Sequence, residues 1–292
     1  MPRYAKMQGD NFSDGGVMKR VVFNQKGGVG KSTITCNLAA ISALRGRRTL
    51  VIDLDPQGNS TQYLLGAAVV EARPTLAEMF EQMLQFKLVM KTTGEFIQET
   101  PFANLSVLAS HPSLGDLAGK LESRHKIYKL REALNELKDD FDAIYIDTPP
   151  ALNFLTLSAL IAADTCLIPF DCDDFARRAL YTLIENVAEI RADHNPGLVI
   201  EGIVINQFQP RANLPQKLVN ELIAEGLPVL TSCLSSSIKV KESHEQAMPL
   251  IHLAPRHKLT LEYEALYDEL ARAMRKSKGV NAARPRKRWA AV

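Results

Sequence analysis

The chain has 292 residues, 46% of them hydrophobic, enough to bury a large core as one α/β domain or two smaller ones. Net charge is only +2, and seven cations with no acid crowd the last eighteen residues: Arg275, Lys276, Lys278, Arg284, Arg286, Lys287 and Arg288. The body without those seven therefore stands at −5, which excludes a globally basic nucleic-acid binder and leaves a basic tail on a mildly acidic body.

Residues 1–18 read as a polar, flexible leader without the apolar core of a signal peptide. Order is expected from KRVVFN onward, where the apolar run Val21, Val22, Phe23 stops at a glycine-rich turn. A helical stretch, STITCNLAAISALRG, follows and ends at Gly46, then a buried strand TLVIDLD closed by the breaker-rich turn DPQGN. The more polar segment Gly66–Pro101 reads as an excursion on the same domain. Further strands are expected at 104–110, 141–147, 164–170 and 198–206. Between them lie helical patterns such as HKIYKLREALNELK, with Ile127, Leu130, Leu134 and Leu137 on one face, and ARRALYTLIENVAEIRAD. HKLTLEYEALYDELARAM reads as a closing helix before the tail.

Continuous Val/Ile/Leu strands alternating with helices indicate an α/β fold: one domain over residues 19–274, with a mostly parallel twisted sheet and helices on both faces. The basic tail is residues 275–292. The longest nearly apolar run, Phe154–Ala163, is too short to span a bilayer. Cys36, Cys166, Cys172 and Cys233 form no CxxC pair and read as reduced, buried thiols of a cytosolic protein; the six histidines are equally scattered, so no zinc site is expected.

The turn itself, FNQKGGVGKST (23–33), sits after a strand and before a helix, the ligand-facing edge of a parallel sheet. Successive N–H groups of Gly27, Gly28, Val29, Gly30, Lys31 and Ser32 can curl round an anion, aided by the helix N-terminus. Lys31 would lie against β- and γ-phosphates and the Ser32 hydroxyl would ligate Mg²⁺, with Thr33 beside it. The ordinary GxxxxGK[ST] pattern fits except at its first position, where Gln25 replaces glycine. A glycine-rich turn with solvated lysines is the bland alternative, and the strand-turn-helix context argues against it.

Lys26 departs from an ordinary P-loop, and KGGVGKST resembles the deviant Walker A motif of the ParA/MinD family of ATPases. VIDLDPQGNST (51–61) is similar to that family's switch I, YIDTPP (145–150) to its Walker B strand and switch II, and GIVINQF (202–208) to its base-contacting strand end. These motifs follow the family's order over roughly residues 19–270. The resemblance implies that Lys26 reaches across an ATP-dependent sandwich dimer to the partner's phosphates. It implies ATP and Mg²⁺ as cofactors, with Ser32, Asp53 and Asp147 around the metal. Asp147 and Asp53 each end an apolar strand with a carboxylate, which is costly unless a cation is near. Asp55 is the candidate to orient the attacking water, and all three acids could instead cap their turns. Asn206 would hydrogen-bond adenine, and no NKxD guanine reader follows it, so ATP is favoured over GTP.

DPQGN and the loop stand closer to the ParA branch, which implies non-specific DNA binding, nucleoid association in the cytoplasm, and slow hydrolysis stimulated by a ParB-like or cargo-adaptor partner. The expected DNA contacts are Lys239, Lys241, Arg256 and Lys258 together with the seven tail cations. The alternative is a MinD-like ATPase on a membrane, for which the tail offers one aromatic, Trp289, and no wide apolar face. A nitrogenase-iron-protein reading fails because no cysteine follows Asp147 in TPPALNF. The leader is too short for a helix-turn-helix domain, so autorepression is not expected. Asp171, Asp173 and Asp174 read as an exposed acidic rim, and Arg45, Arg47 and Arg48 as a solvated helix end.

Overall fold

The computed structural model describes residues 17–282, apart from 72, 86–88, 173–175 and 209–212. Residues 1–16 of the leader, Asp173, Asp174, Arg284, Arg286, Lys287 and Arg288 therefore lie outside the described residues, as do the side chains of Arg275, Lys276 and Lys278, whereas Met18, read as the end of the leader, already belongs to the first strand. Seven strands form one sheet: β1 (Met18–Val22), β2 (Thr49–Asp53), β3 (Gln98–Glu99), β4 (Leu105–Leu108), β5 (Ala143–Asp147), β6 (Thr165–Asp171) and β7 (Val199–Asn206). Their order is β3-β4-β2-β5-β1-β6-β7, parallel throughout except for β3. The sheet thus has the expected parallel core, but its edge is a short antiparallel strand inside the expected excursion. Two residues with an exposed Glu99 offer little to a second chain, which suits an edge.

Strand side chains alternate between faces, and the two cores record it. Val21, Ile52, Leu108, Ile146, Ile168 and Ile205 line one face. Against it pack α3 (Leu76–Leu84), α4 (Leu114–Ser123), α5 (Lys129–Glu136), α6 (Phe154–Ala162) and α7 (Ala176–Asp193). Val22, Val51, Val107, Tyr145, Leu167 and Val204 line the other, under α1 (Lys31–Leu44), α2 (Asn59–Leu65), α10 (Leu250–Leu253) and α11 (Lys258–Ala282). Two further α-helices among the described residues are α8 (Asn213–Ala224) and α9 (Lys239–Glu245).

Several boundaries differ from the sequence reading. Strand β4 starts at Leu105 because Asn104, with φ 62°, turns the chain, and α5 starts only at Lys129, so Ile127 packs from the turn before it. α11 runs to Ala282, across the expected start of the tail at residue 275; Arg275, Lys276 and Lys278 are good helix formers. The arginines after α1 are not simply solvated. Arg45 reaches α11 at Asp268 (3.3 Å) and Glu264 (3.7 Å), and Arg48 pairs with Asp142 at 2.8 Å. Cys36 and Cys166 are buried, as expected, and Cys172 and Cys233 are half-buried.

Candidate active site

The loop between β1 and α1 is fixed from both sides. On one side the Asn24 side chain donates to the Pro169 carbonyl (2.7 Å) and accepts from the Lys26 N–H (2.9 Å). On the other, the Asn206 amide at the end of β7 donates to the Val29 carbonyl (2.9 Å), and Gln207 donates to the Gly28 carbonyl (3.2 Å). Two glycines are required by this geometry. Gly28 (φ 78°) and Gly30 (φ 87°) are left-handed, and a Cβ on Gly30 would stand 2.4 Å from Asn206 Nδ2. Gly30 then begins α1, whose first N–H groups are left for an anion.

Lys31 is buried and its ammonium donates to the Lys26 carbonyl at 3.1 Å. Burial pushes its pKa down, against the attraction of Asp147 and Asp55. Lys26, by contrast, is exposed at the rim of the loop. The loop thus separates its two lysines, one inside it and one at its mouth.

Asp53 and Asp147 are register partners at the ends of β2 and β5, both fully buried. Asp53 accepts from the Thr61 N–H and hydroxyl (2.8 Å each) and from the Asp55 N–H (3.1 Å). Asp147 accepts from the Ser60 hydroxyl (2.7 Å), from the Thr148 N–H (3.0 Å) and from the Ser32 hydroxyl. Burial pushes both carboxyls up, and the charge of Asp147 pushes Asp53 further. A divalent cation suits such a pair, since it would neutralise two carboxylates that share one dry place. Among the described residues no three His, Cys, Asp or Glu side chains form a cage, so a cation here would take hydroxyl, water or phosphate oxygens as well.

Asp55 lies just beyond, buried, its carboxylate accepting from the Gln57 N–H at 3.0 Å. Its backbone is tied down by Ser110, whose hydroxyl donates to the Asp55 carbonyl (2.5 Å) and whose N–H donates to the Thr61 hydroxyl (2.8 Å). Lys26, Lys31, Ser32, Asp53, Asp55 and Asp147 therefore belong to elements that meet at one end of the sheet. Sequence reasoning missed Asn24, Ser60, Thr61 and Ser110. The adjacent hydroxyls in GNST were a signal; Asn24 and Ser110 gave none, because their partners are distant in sequence.

A cavity of about 220 Å³ opens beside the loop, lined by Gly28, Gly30, Thr33, Asn206, Gln207, Lys241 and Tyr263 among others. Asn206 thus faces the loop and the cavity together. Lys241, expected on a DNA surface, lines this cavity as well. Of the other expected DNA contacts on described side chains, Lys239 pairs with Glu242 (2.5 Å) and Lys258 with Glu262 (3.5 Å), while Arg256 is exposed.

The AAA domain family model matches residues 18–200. Chromosome partitioning protein ParA of Myxococcus xanthus is 37% identical over 202 residues, 69% of each chain. Chromosome-partitioning ATPase Soj of Treponema pallidum is 32% identical over 256 residues, covering 86% of this chain and 96% of that one. The chain belongs to the ParA/MinD family of ATPases. Among solved structures, cobyrinic acid a,c-diamide synthase of Mycobacterium smegmatis with bound ATP analog and magnesium superposes with a TM-score of 0.77 at 25% identity, covering 89% of this chain and 96% of that one. McdA of Cyanothece shares the fold, at a TM-score of 0.75 and 22% identity over 88% of this chain and 99% of that one. For this ParA/MinD-family member, no helix among the described residues is long and apolar enough to cross a membrane.

Proposed function

We propose that this chain is a partition-type ATPase switch: with MgATP it forms a sandwich homodimer that binds duplex DNA without sequence preference, and hydrolysis stimulated by a partner protein releases it. The product of the cycle is a changed surface, used to segregate DNA or position a cargo on the nucleoid. The observation that carries this reading is the separation of the two loop lysines. Lys31 is folded inside the loop, whereas Lys26 is exposed at its rim, where it could serve phosphates held by a second copy.

The chemistry follows from the residues present. Loop N–H groups and Lys31 bind the phosphates, Thr33 and Asn206 line the cavity beside the loop where the nucleotide would lie, and Ser32, Asp53 and Asp147 would hold Mg²⁺. When bound, Mg²⁺ neutralises charge that develops on the phosphate oxygens. Asp55, fixed by Ser110 and Gln57, orients the attacking water. The activating partner is of ParB-like or cargo-adaptor kind.

Size-exclusion chromatography and gel shifts on random duplex DNA, with ATP, ADP or neither, test the proposal. Dimer and shift are expected with ATP alone, and the logarithm of affinity should fall with that of salt at a slope of about −4 to −6. Lys26→Ala should bind ATP and remain a monomer, and Lys31→Ala should not bind ATP. Binding to anionic liposomes in place of DNA would overturn the partition reading, and a Lys26→Ala protein that still dimerises would remove that lysine's role.

A further inference from the structure

Outside the loop, one small polar cluster joins four helices. The Thr33 hydroxyl on α1 lies 2.9 Å from Nε2 of His244 on α9. The His244 ring stacks on Tyr63 of α2, with centroids 4.1 Å apart and planes at 16°. The Tyr63 hydroxyl meets the Ser243 hydroxyl and accepts from the Asn37 amide at 3.2 Å. Asn37 in turn accepts from the Leu250 N–H at 2.8 Å. α2 is the same short helix whose Ser60 and Thr61 hold Asp147 and Asp53. α9 carries Lys239 and Lys241, and Lys241 lines the cavity that Thr33 lines.

We infer that His244 is a positioning residue that couples an occupied nucleotide loop to the placement of α9, acting through the Thr33 hydroxyl. The inference rests on the nucleotide site proposed above and adds a route out of it. Burial lowers the His244 pKa and favours the neutral ring, so the contact with Thr33 is a hydrogen bond between neutral groups. A threonine hydroxyl has one proton to give. If Thr33 gives it to a phosphate oxygen, its own oxygen can only accept from His244, which then must carry its proton on Nε2. An anion in the loop therefore selects one tautomer of the ring, and a ring bonded in one tautomer holds α9 more firmly against α1 and α2. Linked hydrogen bonds of this kind reinforce one another in a half-buried setting. The surface so ordered is the one bearing Lys239 and Lys241, so duplex binding would feel the nucleotide without touching it.

The test uses the full-length protein with the magnesium complex of a non-hydrolysable ATP analogue. Amide hydrogen exchange over residues 239–245 is compared with and without analogue, and analogue affinity is read by calorimetry. In the wild type the analogue should slow exchange there. His244→Phe keeps a ring on Tyr63 and removes the bond; it should lose that slowing and weaken analogue binding by roughly threefold to tenfold, the worth of one neutral hydrogen bond. His244→Gln places an amide donor near the same point and should restore the slowing, which separates bonding from packing. Thr33→Val should add little in the His244→Phe background if the two residues act as one unit. Slowing that persists in His244→Phe, or is missing from the wild type with analogue bound, overturns the inference and leaves the nucleotide reading intact. Failure of the wild type to bind the analogue overturns that reading and this inference with it.

Discussion

At the loop end of the sheet, two acids, Asp53 and Asp147, are fully buried side by side. In the other half, Arg20 of β1 reaches across β6 to Glu201 of β7, both oxygens meeting the guanidinium at 2.6 Å, with both side chains 4% exposed or less. Burial works against the Arg20 charge, but Glu201 more than compensates and the pKa rises; the Tyr145 ring lies 5.3 Å from the guanidinium as well. One end of the sheet has thus settled its buried charge in a matched pair, and the other sets two carboxyls side by side with the single Lys31 ammonium acting on Asp147. On the function proposed above, the difference separates a structural site from a functional one. A compensated pair needs nothing more, whereas two repelling carboxylates are poised for a ligand that arrives later.

The largest test attacks the compensated end. Arg20→Met leaves Glu201 buried and alone and should destabilise the fold by about 3–5 kcal/mol, read by denaturant melts; adding Glu201→Leu should recover much of that loss. An Arg20→Met protein that melts like the wild type would mean that the pair contributes little and the contrast is false. At the functional end, Asp55→Ala should bind MgATP normally yet lower kcat by about 100-fold or more, as loss of a positioned base does. A fall in Mg²⁺ affinity with kcat intact would instead make Asp55 the metal ligand.

A smaller effect of opposite sign is expected from Asp147→Asn. Its amide can still accept from Thr148 and can donate to the Ser60 hydroxyl, while the like-charge repulsion disappears. Without metal the variant should gain about 1–2 kcal/mol, a few degrees in Tm for a chain this long, and should lose Mg²⁺-dependent hydrolysis. pH provides the finest comparison. Asp53 and Asp147 have raised pKa values, so above about pH 4 the unfolded chain releases protons that the metal-free fold retains. Stability must then fall as pH rises toward the folded values, and Asp147→Asn should flatten that slope in thermal melts with EDTA. A wild type whose metal-free Tm climbs through that range would contradict the repulsion.

What was legible in the sequence had its cause nearby in the chain. The loop, the two strand-ending acids and the parallel core were readable because glycine spacing and apolar runs are local signals. Asn24 and Ser110 were not, since an asparagine bonded to Pro169 and a serine bonded to Thr61 acquire meaning only once the sheet has brought them together. Arg20 was hidden for a related reason: its partner lies 181 residues away, behind an irregularity in β7 that places Glu201 between two paired positions. The edge strand β3 escaped because two polar residues carry no period to detect.

The clasp of Asn206 and Gln207 on the loop carbonyls bears on how the chain is made. Those side chains lie 177 and 179 residues after the groups they hold, so during synthesis the loop is complete long before its clasp exists. At the slow rates of bacterial and other ribosomes, about 5–20 residues each second, the gap lasts roughly ten to forty seconds. A nascent chain released before β7 therefore carries the whole glycine-rich signature and lacks the last contact that shapes it. Nucleotide capture should then report the finished fold, arriving as a late and abrupt step as arrested chains are lengthened past Gln207.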